Sequence, residues 1–98
     1  MSDNKPTCKT HPNGDKVWFL NGKLHREDGP AAEWANGDKE WWLNGKRHRE
    51  DGPAVECANG NKAWLLNNEI TTALEVFKQA NDEQRKHMLC FYPNEFST

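Results

Sequence analysis

Three short runs set the rhythm of the chain: KVWFL at 16–20, KEWWL at 39–43 and KAWLL at 62–66. In each, large apolar side chains recur at alternate positions after a lysine, the period of a half-buried β-strand. Residues 13–35 read NGDKVWFLNGKLHREDGPAAEWA and residues 36–58 read NGDKEWWLNGKRHREDGPAVECA, so two units differ at five of 23 positions. A third copy begins at Asn59 and loses the pattern after Asn67, as the closing unit of an array does. Asn-Gly between apolar runs is a strong hairpin signal because both residues tolerate positive φ. Turns are expected at Asn13-Gly14, Asn21-Gly22, Asn36-Gly37, Asn44-Gly45 and Asn59-Gly60, with Glu27–Pro30 and Glu50–Pro53 separating successive hairpins. The predicted strands are Lys16–Leu20, Lys23–Arg26, Pro30–Ala35, Lys39–Leu43, Lys46–Arg49, Pro53–Ala58 and Lys62–Leu66.

A two-residue turn at Asn44-Gly45 sets Leu43 opposite Lys46, Trp42 opposite Arg47, Trp41 opposite His48 and Glu40 opposite Arg49. Trp42 with Arg47 is then a cation-π contact and Glu40 with Arg49 an ion pair, while the first unit sets Phe19 against Leu24 and Val17 against Arg26. Alternation assigns the invariant Trp18, Trp41 and Trp64 with Leu20, Leu43 and Leu66 to the core face. The variable Val17, Glu40 and Ala63 with Phe19, Trp42 and Leu65 fall on the other face, and Trp34 joins the core face in the simplest register. A two-residue turn at Asn36-Gly37 opposes Glu33 to Glu40, which is repulsive; a longer or bulged turn, or Arg49, would relieve it.

After Ile70 the period changes. Thr72 and Glu75 form a capping box that starts a helix within 72–91, and Pro93 ends it. Leu74, Phe77, Ala80, Gln84, His87, Met88 and Phe91 lie on one stripe, although Asn81 to Gln84 can cap a second helix after a break. A single-layer sheet needs a cover, and this stripe supplies it. The expected fold is therefore mainly β with C-terminal α: one antiparallel β-meander of 23-residue repeats, one face covered by a C-terminal helix or two short helices. Residues 1–12 form an N-terminal extension serving as an edge strand, 13–70 the repeat sheet, and 71–98 the helical cap.

With 98 residues and 11.3 kDa there is room for one small domain. Thirteen Lys and Arg against 15 Asp and Glu leave a formal charge of −2, so no basic field exists to draw in a nucleic-acid backbone or an anionic membrane. A mean hydropathy of −1.07 and the polar opening MSDNKPTCKT offer no membrane span or secretory signal, and a cytoplasmic location is expected. Cys8, Cys57 and Cys90, odd in number and far apart, read as free thiols of a reducing compartment.

The grammar W-x-L-N-G-K-x-H, carried by Trp41, Leu43, Asn44, Gly45, Lys46 and His48 and one period earlier by Trp18, Leu20, Asn21, Gly22, Lys23 and His25, resembles the MORN-type repeat. The match covers roughly residues 13 to 66 and is similar to the diverged bacterial and phage form that carries HREDGPA. It departs from the usual pattern in having Arg26 and Arg49 where Gly follows His, and in the small number of units. The resemblance implies a scaffold or partner-binding module. It also implies a phage setting, in which a small acidic domain inhibits a host defence protein as an anti-CRISPR or related anti-defence factor.

Candidate chemistry lies in the repeated His25-Arg26-Glu27-Asp28 and His48-Arg49-Glu50-Asp51. The structural reading ties turns together by charge-assisted hydrogen bonds; the functional one uses His25, Arg26, His48 and Arg49 to hold a phosphate-bearing nucleotide signal. Cys8, His11, His87 and Cys90 have the spacing of a Cys2His2 zinc set, a weak signal, and no metal or other cofactor is expected. Phe19, Glu40, Trp42 and Arg47 combine aromatic area with charge, the composition of a protein-binding hot spot. No phosphate loop, nucleophile elbow or paired-carboxylate motif is present, so no catalytic residue is assigned. The expected function is a non-enzymatic protein-binding module whose partner is a host defence complex, with homodimerisation through edge strands a second mode of association. Nucleotide sequestration is the alternative.

Overall fold

The computed structural model describes residues 5–96. Its elements are β1 (Thr7–Thr10), β2 (Lys16–Leu20), β3 (Lys23–Leu24), β4 (Ala32–Glu33), β5 (Lys39–Glu40), β6 (Trp42–Leu43), β7 (Lys46–Arg47), β8 (Val55–Glu56), β9 (Lys62–Leu66), β10 (Glu69–Thr71), α1 (Ala73–Gln79) and α2 (Asp82–Phe91), closed by a 3-10 turn at Pro93–Glu95. An antiparallel sheet runs β1-β2-β4-β5-β8-β9-β10, with β3 paired to β2, while β6 and β7 form a separate hairpin.

The Asn-Gly turns divide into two kinds. Asn21-Gly22, Asn44-Gly45 and Asn67-Asn68 have positive φ at both residues, the two-residue turn whose twist matches its strands. The turn at Asn36-Gly37 is one residue longer. The Trp34 N–H donates to the Asp38 carbonyl at 2.9 Å and the Gly37 N–H to the Trp34 carbonyl at 2.9 Å, with Gly37 at φ +100°. Glu33 therefore stands opposite Lys39, not Glu40, which removes the like-charge pair. His11 with Asp15 and Cys57 with Asn61 close the same turn.

The segment before Asn13 is more than an edge. β1 meets β2 at Lys9↔Val17, as β4 meets β5 at Ala32↔Glu40 and β8 meets β9 at Val55↔Ala63. Three equivalent hairpins thus stand side by side, joined at Lys16↔Glu33 and Lys39↔Glu56. Carboxylates reinforce both joints: Asp15 accepts the Ala35 N–H at 2.6 Å and Asp38 the Ala58 N–H at 2.7 Å. The Ala35 amide, helped by the Asn13 side chain, holds Asp15 below the usual carboxylate range.

Several strands are shorter than the pattern predicts. Lys23–Arg26 and Lys46–Arg49 stop at Leu24 and Arg47, because the Arg26 and Arg49 N–H groups donate to Trp42 and Leu65 carbonyls of the next unit, at 3.0 and 3.4 Å. Pro30–Ala35 and Pro53–Ala58 shrink to Ala32–Glu33 and Val55–Glu56, and Lys39–Leu43 divides at Trp41. Its first half pairs with β4 and β8, its second with β7.

At the C-terminal end the Thr72 hydroxyl accepts the Glu75 N–H at 3.1 Å, but the Glu75 carboxylate turns to Gln79, so that capping box is half made. The box at Asn81 and Gln84 is complete and starts a second helix, which resets the helical phase. Val76, Ala80 and Met88 face inward, whereas Leu74 and Phe91, expected on the buried stripe, are exposed. Val76, Ala80 and Met88 bury Trp64, ringed by Leu66, Phe77, Tyr92 and Phe96. The helices thus close the Trp row at its third member, while Trp18 and Trp41 stay half-buried. The opposite face is not uniformly open, since Val17 and Leu65 are buried there.

Candidate functional site

Each His-Arg-Glu-Asp segment is a folded station. Arg26 lays its guanidinium 3.9 Å from the Trp18 ring centre, and Arg49 lies 3.8 Å from that of Trp41. The local turn supplies the in-plane partners: Nε donates to Asp28 at 3.0 Å and to Asp51 at 2.8 Å, and Nη1 to the Pro30 and Pro53 carbonyls at 3.2 Å each. Nη1 also reaches Glu33 at 3.3 Å and Glu56 at 2.8 Å. Gly52 backs the second guanidinium, for a Cβ there would sit 2.6 Å from Arg49 Cζ. The guanidinium is a plate held between an indole and a glycine.

The imidazoles join one unit to the next. His25 Nδ1 accepts the Asn44 N–H at 2.9 Å and His48 Nδ1 the Asn67 N–H at 3.0 Å. That acceptance puts the neutral ring's proton on Nε2, which faces Glu27 at 3.4 Å or Glu50 at 3.0 Å. His48 and the Gln84 amide hold Glu50 below its ordinary range. The predicted Glu40–Arg49 ion pair is absent because Arg49 is bound to Asp51 and Glu56.

Between the two stations and α2 runs a groove of about 580 Å³, edged by Trp41, Leu43 and His87. It brings together His25, Arg26, His48 and Arg49, the four residues considered for a nucleotide. Glu27, Asp28, Glu50 and Asp51 line it as well, so four carboxylates outnumber two guanidiniums already engaged by acids. A phosphate there would compete with those acids for the arginines.

The second cluster centres on Glu40 on the other face. Its carboxylate accepts Trp34 Nε1–H at 2.8 Å, Trp42 Nε1–H at 3.1 Å and Arg47 Nε–H at 3.1 Å, with the Arg47 guanidinium 5.0 Å from the Trp42 ring centre. Ala32 and Val55 flank Glu40 across the neighbouring strands. All five positions that distinguish the two units are therefore represented at one spot. Phe19 is in the equivalent place one unit away, opposite Leu24 and under Lys9 Nζ at 5.5 Å. Trp34, which the simplest register sets on the core face, joins this cluster because the longer Asn36-Gly37 turn moves it across. A signal was present: its counterparts, His11 and Cys57, precede Val17 and Ala63, and only Trp34 precedes a carboxylate.

The zinc set does not assemble. Cys8 and His11 are at the β1 end of the array, His87 and Cys90 on α2 at the other, and among the described residues no group of three or more His, Cys, Asp or Glu could hold a metal. Cys8 and Cys90 are exposed free thiols. No helix among the described residues is long and apolar enough to cross a membrane. No protein family, curated protein or solved structure matches the chain.

Proposed function

We propose that this chain is a non-enzymatic protein-binding module and that its contact surface is the face centred on Glu40, with Trp34, Trp42, Arg47 and the neighbouring Phe19. The observation that carries this reading is the convergence of all five repeat-distinguishing positions on that spot. At this spot half-buried indoles meet a charged pair, a composition that suits an interface anchor. The engaged nitrogens of His25 and His48 leave neither ring poised as a general base, which supports a binding role over a catalytic one.

The resemblance of the units to phage MORN-like repeats directs the partner search to host defence proteins, so the proposed role is that of an anti-defence inhibitor acting in the host cytoplasm. The test is affinity capture of purified defence complexes on immobilised chain. Trp42→Ala with Arg47→Ala should lower capture at least about tenfold, and Arg26→Ala should not. Equal capture by both variants would remove the Glu40 face from the reading. The alternative, nucleotide sequestration in the groove, draws on the cavity itself; saturable calorimetric binding of a nucleotide signal, lost in Arg26→Ala with Arg49→Ala, would reverse the ranking.

A further inference from the structure

The five Asn-Gly pairs of the chain carry the same latent chemistry in different surroundings. An asparagine followed by glycine reacts with its own backbone: the glycine nitrogen attacks the side-chain amide carbon, and the missing Cβ leaves that approach open. The attack requires the nitrogen to give up its proton and the peptide to rotate toward the side chain. Hydrogen bonds that hold the peptide or the side chain therefore protect the pair, and the array supplies them unevenly.

Asn13, Asn36 and Asn59 are held at both reacting groups. Their side-chain oxygens accept the N–H groups of Asp15, Asp38 and Asn61 at 3.0 Å each. The N–H groups of Gly14, Gly37 and Gly60 donate to the His11, Trp34 and Cys57 carbonyls at 3.0, 2.9 and 2.9 Å. Asn44-Gly45 is held by the unit before it, with the Asn44 N–H on His25 Nδ1 at 2.9 Å and the Gly45 N–H on the Leu24 carbonyl at 2.9 Å.

Asn21-Gly22 is the same turn with no unit before it. Its φ angles are 53° and 77° against 52° and 80° at Asn44-Gly45, so the two turns share one shape. Among the described residues, however, neither N–H of the pair nor the Asn21 side chain meets a hydrogen-bond partner. Both residues are exposed. A Cβ at Gly22 would have nothing within 4 Å, whereas one at Gly45 would touch the Lys23 side chain at 3.6 Å.

We propose that Asn21 is a self-modifying site, the member of the five Asn-Gly pairs that deamidates in the folded protein. The Gly22 nitrogen bonds to Asn21 Cγ, the Cγ–NH2 bond breaks, and ammonia leaves with the proton that the Gly22 nitrogen gave up. Water then opens the cyclic imide at either carbonyl. One product is aspartate; the other is isoaspartate, whose main chain runs through the former side chain and is one carbon longer. Either adds a negative charge at the tip of the hairpin that carries Phe19.

Peptide-mapping mass spectrometry on the full chain, after incubation at mildly alkaline pH, tests this. In the folded chain Asn21 should convert about five- to thirtyfold faster than Asn44, the protection that two hydrogen bonds give, and should outpace the other three by at least as much. In guanidinium-unfolded chain all five should convert at similar rates, since glycine follows each. His25→Ala removes the acceptor of the Asn44 N–H and should raise the Asn44 rate about two- to tenfold, leaving Asn21 unchanged. Far-UV circular dichroism checks that this variant folds; if it does not, the folded and unfolded wild type carry the test. Equal rates at Asn21 and Asn44 in the folded wild type, faster conversion at another pair, an Asn21 that stays intact while the unfolded chain converts, or a folded His25→Ala whose Asn44 rate is unchanged would each overturn the proposal.

Discussion

Trp41 and Trp64 hold the same place in successive units and are covered by different chemistry. Over Trp41 lies the guanidinium of Arg49, supplied by the unit's own turn. Over Trp64 lie Tyr92 and Phe96, edge-on at 5.8 and 6.1 Å, with Val76 and Met88. The third unit has Thr72 where Arg26 and Arg49 stand, and Thr72 caps α1. A unit can cover its indole with a charged group because the Glu-Asp-Gly-Pro turn provides that group's acceptors. Where the turn ends, an apolar element must take over. Arg49 spans both solutions, since Nη1 also donates to the Tyr92 hydroxyl at 3.2 Å and Nη2 lies 3.5 Å from His87 Nε2.

The largest effects should separate the two indoles. Trp64→Ala removes the centre of the buried cluster and should cost about 3–5 kcal/mol, whereas Trp41→Ala, from a half-buried site, should cost about 1–3 kcal/mol. Chemical denaturation measures both. Equal losses would mean that a guanidinium plate covers an indole as well as a hydrophobic cap does, and the comparison would fail.

The arginines come next. The Arg49 side chain is 8% exposed and that of Arg26 is 23%, so Arg49→Ala should cost about 2–4 kcal/mol and Arg26→Ala about 0.5–1.5 kcal/mol. Gly52→Ala approaches the same result without touching the charge, by forcing a methyl against a guanidinium that Trp41 blocks from behind; about 1–3 kcal/mol is expected. At Gly29 the corresponding distance is 3.0 Å, and the loss should be smaller. If Gly29→Ala and Gly52→Ala cost the same in denaturant, Arg49 is no more constrained than Arg26.

Much of this contrast can be read in columns of the sequence. Asp15, Asp38 and Asn61; His25, His48 and Thr71; Arg26, Arg49 and Thr72: each column keeps its chemistry in the first two units and drops it in the third. The Asp column reaches to the next hairpin and the His column into the next unit, so their loss marks the end of the array. Turn length was not legible, because Asn-Gly serves two-residue and three-residue turns alike. That one-residue difference moved Trp34 to the Glu40 face and gave Glu33 a lysine. The helical stripe failed at Phe91 for a related reason: a break at Asn81 resets the phase, and periodicity is informative only within an unbroken helix; Leu74, ahead of the break, is exposed because α1 turns Val76 inward, two residues further on.

The smallest effect is spectroscopic and tests how tightly the two regions are joined. Tyr92, the only tyrosine in the chain, donates its hydroxyl proton to Glu56. Burial first, and then the bond to Glu56, push its ionisation up from 10.0 to about 12, against the pull of Arg49. The phenol is neutral in both folded and unfolded chains below pH 10. Between 10 and about 12 the unfolded chain loses its proton first, so this contribution to stability is complete below that window and disappears as pH rises through it. An ultraviolet titration of the native protein should place tyrosinate formation near the upper limit, and Glu56→Gln should lower it by removing the neighbouring charge. An ordinary midpoint in the wild type, with the fold intact, would mean that Tyr92 is not seated against Glu56 and that α2 is less firmly attached to the array than Trp64 is to α2.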